Sequence, residues 1–190
     1  MRSSLLLSLS IAVFTTACSS PKNSGETTST TSVAKVSAPE SNLGAQKTSE
    51  LASVLDQYYK LKESFVKSDS TGVPAAAKGV STALTAFAND SSVSQSLRTS
   101  TDSMQLALNS LAHQSGKVNL EQQRAAFEKV SDQMTAILKT AGWKNGQTYR
   151  QFCPMAFNDK GAHWLSNSSE IRNPYFGDRM LECGEVTDSL

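Results

Sequence analysis

Apolar side chains recur at spacings of three and four over four stretches of the chain, and each stretch predicts an amphipathic helix. The first carries Leu51, Val54, Leu55, Tyr58, Leu61 and Phe65. A second runs from Pro74 to about Phe87, with Ala77, Val80, Leu84 and Phe87 as its stripe and Pro74 suited to a first helical turn. The third, Ser94 to about His113, has Leu97, Thr101, Met104, Leu108 and Leu111, and Gly116 follows as a stop. In the fourth, Asn119 stands where a cap belongs, with Gln122 three residues on, and Phe127, Val130, Met134, Ile137, Leu138 and Ala141 share a face until Gly142 ends it. Short polar connections between such helices predict a mainly α domain built as an antiparallel four-helix bundle.

Beyond Gly142 the texture changes. Gly146, Pro154, Gly161, Pro174, Gly177 and Gly184 interrupt the chain, while Trp143, Tyr149, Phe152, Phe157, Trp164, Tyr175 and Phe176 concentrate there. Tyr149 to Met155 reads as a short strand, and Asn173 to Gly177 as a turn, since proline presets one turn angle and glycine permits another. A short helical turn through Met180 and Cys183 is expected after it. So many aromatics must be covered, so this irregular segment of short strands or turns should pack on the end of the bundle. No internal repeat is visible.

The first residues read as an export signal over 1–17. Arg2 gives a positive start, Leu5 to Phe14 form an apolar run too short to span a bilayer, and Thr15-Thr16-Ala17 are small residues before Cys18. Small residues directly before a cysteine resemble the lipobox of bacterial lipoproteins, in which the cysteine is lipid-modified; Thr15 stands where that pattern usually has leucine. Cys18 is therefore the expected lipidation site, the other reading being ordinary secretory cleavage. Two or more acyl chains would anchor the protein stably, each buried methylene contributing roughly 0.8 kcal/mol. Residues 18–48 are mostly Ser, Thr, Asn, Gly and Pro and read as a flexible tether, which leaves 49–190 as one helical domain.

Charge narrows the partners. The chain has 18 Lys+Arg against 17 Asp+Glu, and loss of residues 1–17 removes Arg2 and no acid, so the mature chain is formally neutral. Without a basic excess or a Lys/Arg cluster, a nucleic-acid partner is not expected. The expected membrane contact is the lipid anchor, in the cell envelope and facing the periplasm.

Tyr149-Arg150-Gln151-Phe152-Cys153-Pro154-Met155-Ala156, Lys160-Gly161-Ala162-His163-Trp164-Leu165-Ser166 and the run from Ile171 to Gly184 resemble a bacterial domain family, the domain of unknown function numbered three-three-four-seven. Tyr58-Tyr59-Lys60-Leu61-Lys62 and Gln122-Gln123-Arg124-Ala125-Ala126-Phe127-Glu128 carry the resemblance into the first and fourth helices. The family occurs alone in exported proteins and at the C-terminus of some periplasmic adaptor subunits of copper/silver efflux pumps. The resemblance therefore implies copper handling by association, with efflux or other envelope proteins as partners. Adaptor-borne members often carry a histidine and a tryptophan on the third helix, where this sequence offers only His113.

Cys153, Met155, Met180 and Cys183 are the residues with chemistry to offer. Their soft sulfurs favour Cu(I) or Ag(I) over hard cations. Residues two apart on a strand, or three apart on a helical turn, share a face, so each pair is placed to converge, with His163 as the nearest further ligand. A disulfide between Cys153 and Cys183 is the competing reading, because an even pair of cysteines in an oxidising compartment usually bridges, with a gain of about 3 kcal/mol for such a loop. The methionines would then be packing residues. The two readings are compatible if the pair binds metal only when reduced.

Elsewhere the chemistry is thin. Asp159, Asp178 and Glu182 have no paired base or nucleophile, Ser166 lacks a nucleophile turn, and Arg172 and Arg179 suit ion pairs with nearby acids. With two histidines and no phosphate-cradling loop, an enzyme is not expected. The expectation is an exported lipoprotein binding module, with Cu(I) its candidate cofactor. The alternative is a disulfide-stapled structural or interaction lipoprotein.

Overall fold

The computed structural model describes residues 38–113, 119–144 and 147–190. The chain divides into the units Met1–Lys35 and Val36–Leu190, and the second carries every described residue. The expected signal over 1–17, Cys18, the first part of the expected tether, and Gly116 lie outside the described residues.

The four apolar stripes become four helices: α1 Ala45–Val66, α2 Val73–Ala88, α3 Gln95–Ala112 and α4 Leu120–Ala141. Every stripe residue named above is buried. Consecutive helices pack on one another, and their short connections force neighbours to run antiparallel. Helix α1 meets α4 through Tyr58, whose ring stacks on Phe127 at 5.5 Å and whose hydroxyl lies 2.8 Å from Ser131 Oγ. Polar caps set the boundaries. Ser94 Oγ accepts the Leu97 N–H, and Asn119 Oδ1 accepts the Glu121 N–H at 3.0 Å. Gly142 closes α4 in the left-handed region at φ 64°, a conformation that costs glycine little.

Helix α1 starts ahead of Ser49 because polar rather than apolar anchors hold its first turn. Lys47 Nζ donates to the Phe87 carbonyl at 3.0 Å and pairs with Glu50, while Thr48 Oγ1 lies 2.7 Å from Ser41 Oγ. Glu40 and Lys144 also exchange both backbone hydrogen bonds, at 2.9 and 2.8 Å. Periodicity does not register such contacts.

The segment after α4 contains a three-stranded antiparallel sheet in the order β2-β1-β3, with β1 Tyr149–Cys153, β2 Ala162–Ser166 and β3 Glu185–Ser189. Strand β2 packs on α4, and Tyr58 Oη accepts the backbone N–H of Leu165 at 3.1 Å. The sequence marks β1 alone. Trp164, Leu165 and Ser166 of β2 are all buried, so no alternation reveals it, and β3 is exposed along its whole length.

Candidate sulfur-rich site

Cys153 ends β1, and Pro154 follows, which holds Cys153 extended and supplies no further ladder donor. The chain then bends through Phe157, Asn158 and Asp159, three consecutive residues in the left-handed region at φ 55°, 58° and 64°. For residues other than glycine this conformation costs roughly 1–2 kcal/mol each. Surrounding contacts must therefore hold the bend, among them the Phe157 ring against Tyr175 at 5.3 Å.

Asn173 delivers the partner segment. It is fully buried, its Oδ1 accepts the N–H of Tyr175 at 2.8 Å, its N–H reaches the Leu181 carbonyl at 2.7 Å, and its Nδ2 donates to the Cys183 carbonyl at 2.7 Å. Instead of the helical turn expected through Met180 and Cys183, a short 3₁₀ turn forms over Gly177–Arg179. A reverse turn follows, in which the Cys183 N–H bonds to the Met180 carbonyl at 3.2 Å. Glycine suits position 177 on two counts: φ is 58°, and a Cβ there would press into Ser68 Oγ and against the Val66 carbonyl.

These two turns bring the cysteines together. Cys153 Sγ and Cys183 Sγ are 3.0 Å apart as free thiols, Cys153 fully buried and Cys183 partly exposed. The hydrogen bond with Cys153, and then burial, push the Cys183 thiol up to about 11. Met155 and Met180 line one cavity of about 470 Å³ together with Phe157, Phe176, Glu121 and Arg179. Met180 also borders the surface hollow in front of Cys183. The two thiols thus meet, Met180 borders the same hollow as Cys183, and Met155 and Met180 share the neighbouring cavity.

His163 is not brought to that corner. It pairs with Phe152 across β1 and β2, its ring 4.5 Å from that of Phe152, whereas Cys153 pairs with Ala162. Adjacent pairs in a ladder point to opposite sheet faces, so His163 lies on the face away from Cys153. Burial, followed by the charges of Arg150 and Lys139, holds its imidazole below the usual range, and the same charges oppose a cation beside it. Among the described residues no three His, Cys, Asp or Glu side chains form a metal-holding group.

The residue that periodicity alone overlooks is Arg124. Its side chain is buried at 2% exposure, donating from Nε to the Pro174 carbonyl (3.0 Å), from Nη1 to Glu121 Oε1 (2.9 Å) and from Nη2 to Ser68 Oγ (3.2 Å). Glu121 Oε1 also accepts Arg179 Nη2 at 2.8 Å, and Arg179 lies over the Phe176 ring at 5.7 Å. This network ties the second turn to the start of α4. Its trace in the sequence is a charged residue three positions before Phe127 on the buried stripe. Lys62 repeats the pattern four positions after Tyr58; it is 2% exposed, with Nζ 3.4 Å from Ser166 Oγ.

Residues 54–146 match the family described as "Protein of unknown function (DUF3347)". The match runs from within α1 past the end of α4 and stops before the four sulfurs. No curated protein and no solved structure matches the chain.

Proposed function

Given that the chain belongs to the DUF3347 family, described only as of unknown function, we propose its role from its own residues: an exported, lipid-anchored module of the cell envelope that binds a soft cation, Cu(I) or Ag(I), through Cys153, Cys183, Met155 and Met180. The observation that supports this reading is the 3.0 Å approach of Cys153 and Cys183 from two separate turns, with Met180 bordering the hollow at Cys183 and Met155 and Met180 lining the next cavity. Thiolates and thioethers select Cu(I) and Ag(I) over Ca(II) or Mg(II), which require oxygen ligands. Anchoring through Cys18 and export through residues 1–17 belong to the same proposal and rest on the sequence alone. The proposal assigns no catalytic step, and its partners are other envelope proteins, efflux components among them.

The test is a Cu(I) titration of the full chain carrying Cys18→Ser, with its thiols reduced, against a competing chelator, and a parallel titration with Zn(II). Tight binding of one Cu(I) that Zn(II) does not displace is expected. A reduced protein that leaves all Cu(I) on the chelator would refute the reading.

One distance favours a second reading. Two sulfurs that share a metal at about 2.3 Å each stand about 3.8–4.6 Å apart, whereas a disulfide holds them at about 2.05 Å. The 3.0 Å spacing of Cys153 and Cys183 is short for joint ligation and suits closure into a staple across the lobe. In this reading the domain is a structural or interaction module.

A further inference from the structure

The two thiols and the two thioethers are not equivalent. The thiols face each other at 3.0 Å, one fully buried, and a small movement separates them from a covalent bond. The thioethers stand outside that pair and line the adjoining cavity, Met155 with 46% of its surface exposed. Met155 follows Cys153 by two residues, and Met180 precedes Cys183 by three. A bond between the cysteines would therefore tie together the two segments that carry the methionines. It would consume both thiols and leave both thioethers free to bind.

We propose that oxidation of Cys153 and Cys183 leaves a second-state site on Met155 and Met180, so that the oxidised protein still binds a monovalent soft cation, Ag(I) or Cu(I), while losing cations that need thiolate. This rests on the soft-metal reading above. Oxidation proceeds by exchange with a disulfide oxidant such as glutathione disulfide. One protein thiolate attacks a glutathione sulfur and expels the first glutathione thiolate. The second protein thiolate then attacks the mixed disulfide and expels the second. One S–S bond forms in the protein, and the two thiol protons end on two reduced glutathiones, so electrons and atoms balance. Neutral thioethers add no charge, and the charged groups on the cavity wall, Glu121, Asp159 and Arg179, sum formally to −1, so a soft ion of single charge is the fitting occupant. The covalent tie also preorganises the methionine-bearing segments, which lowers the ordering cost of binding.

The experiment uses the full chain with Cys18→Ser, oxidised with glutathione disulfide until a thiol assay finds no free thiol, and titrated in chloride-free buffer with Ag(I) and separately with Zn(II). The expected result is one Ag(I) per oxidised chain, no Zn(II), and Ag(I) binding weakened by about tenfold or more when Met155→Leu and Met180→Leu are combined. Met155→Leu alone, at a half-exposed position, should weaken Ag(I) binding in the same direction and serves if the double variant loses its helical signal. Oxidised protein that takes up no Ag(I), or takes it up equally in the leucine variants, would overturn the inference. So would two thiols that persist under oxidation. If the reduced protein still binds Ag(I) in those cases, the soft-metal reading survives without this extension; if neither state binds, both fall.

Discussion

The bundle and the lobe behind it are held by different means. Helices α1 to α4 bury continuous apolar stripes, and their stability is spread over many side chains, each replaceable by another of similar volume. The sheet and turns after Gly142 share that core through Trp164, Leu165 and Tyr175 and are placed on it by a few long-range polar bonds, in which Arg124 holds Pro174, Asn173 holds Cys183 and Tyr58 holds Leu165. The lobe brings distant turns into contact without a periodic core of its own, and that is where Cys153 and Cys183 meet. A bundle that is rigid by redundancy carries a site that is placed by specific contacts.

The largest effect should come from the bundle at the point where the two regions share a side chain. Phe127 touches Tyr58 and Phe65 of α1 and Tyr175 of the lobe. Phe127→Ala should cost about 3–5 kcal/mol and destabilise both regions together, as read by denaturant unfolding. A loss confined to the lobe would break the claim that they share one core. A smaller and more local effect is expected from Arg124→Met, which keeps volume while freeing the Pro174 carbonyl and Ser68. It should cost about 2–3 kcal/mol and speed hydrogen exchange in β1 and β2 more than in α2. Equal acceleration in α2 would contradict the division drawn between the regions.

The smallest effect is one of reactivity. Since the thiol of Cys183 is held up at about 11, first by the hydrogen bond with Cys153, it should alkylate slowly at pH 8, with a rate rising about tenfold per pH unit toward pH 11. Cys153→Ala removes that bond and should speed labelling of Cys183 near neutral pH. Unchanged labelling in that variant would remove Cys153 as the cause.

The same contrast governs what the sequence discloses. All four helices can be read from their stripes, since a repeat of three and four survives any detail of packing. Cys153, Met155, Met180 and Cys183 are also legible, because residue type alone marks soft donors. Strand register sets His163 on the sheet face opposite Cys153, a property of the pairing with Phe152 that no local pattern reveals. Strand β3 is exposed along its length and leaves no hydrophobic trace. The anchoring by Arg124 and Lys62 shows in the sequence only as charge at a core position, a mark that gains meaning once the partner carbonyl and hydroxyl are in place.

Under the proposed function, sulfur alone, without His163, holds a soft ion where the two turns meet. X-ray absorption at the copper edge of the reduced full chain, carrying Cys18→Ser and loaded with one equivalent of Cu(I), tests it most directly. The expected result is a first shell of sulfur only, with no imidazole scattering and no change in His163→Ala. A shell containing nitrogen that is lost in His163→Ala, or copper that does not stay with the protein, would contradict it.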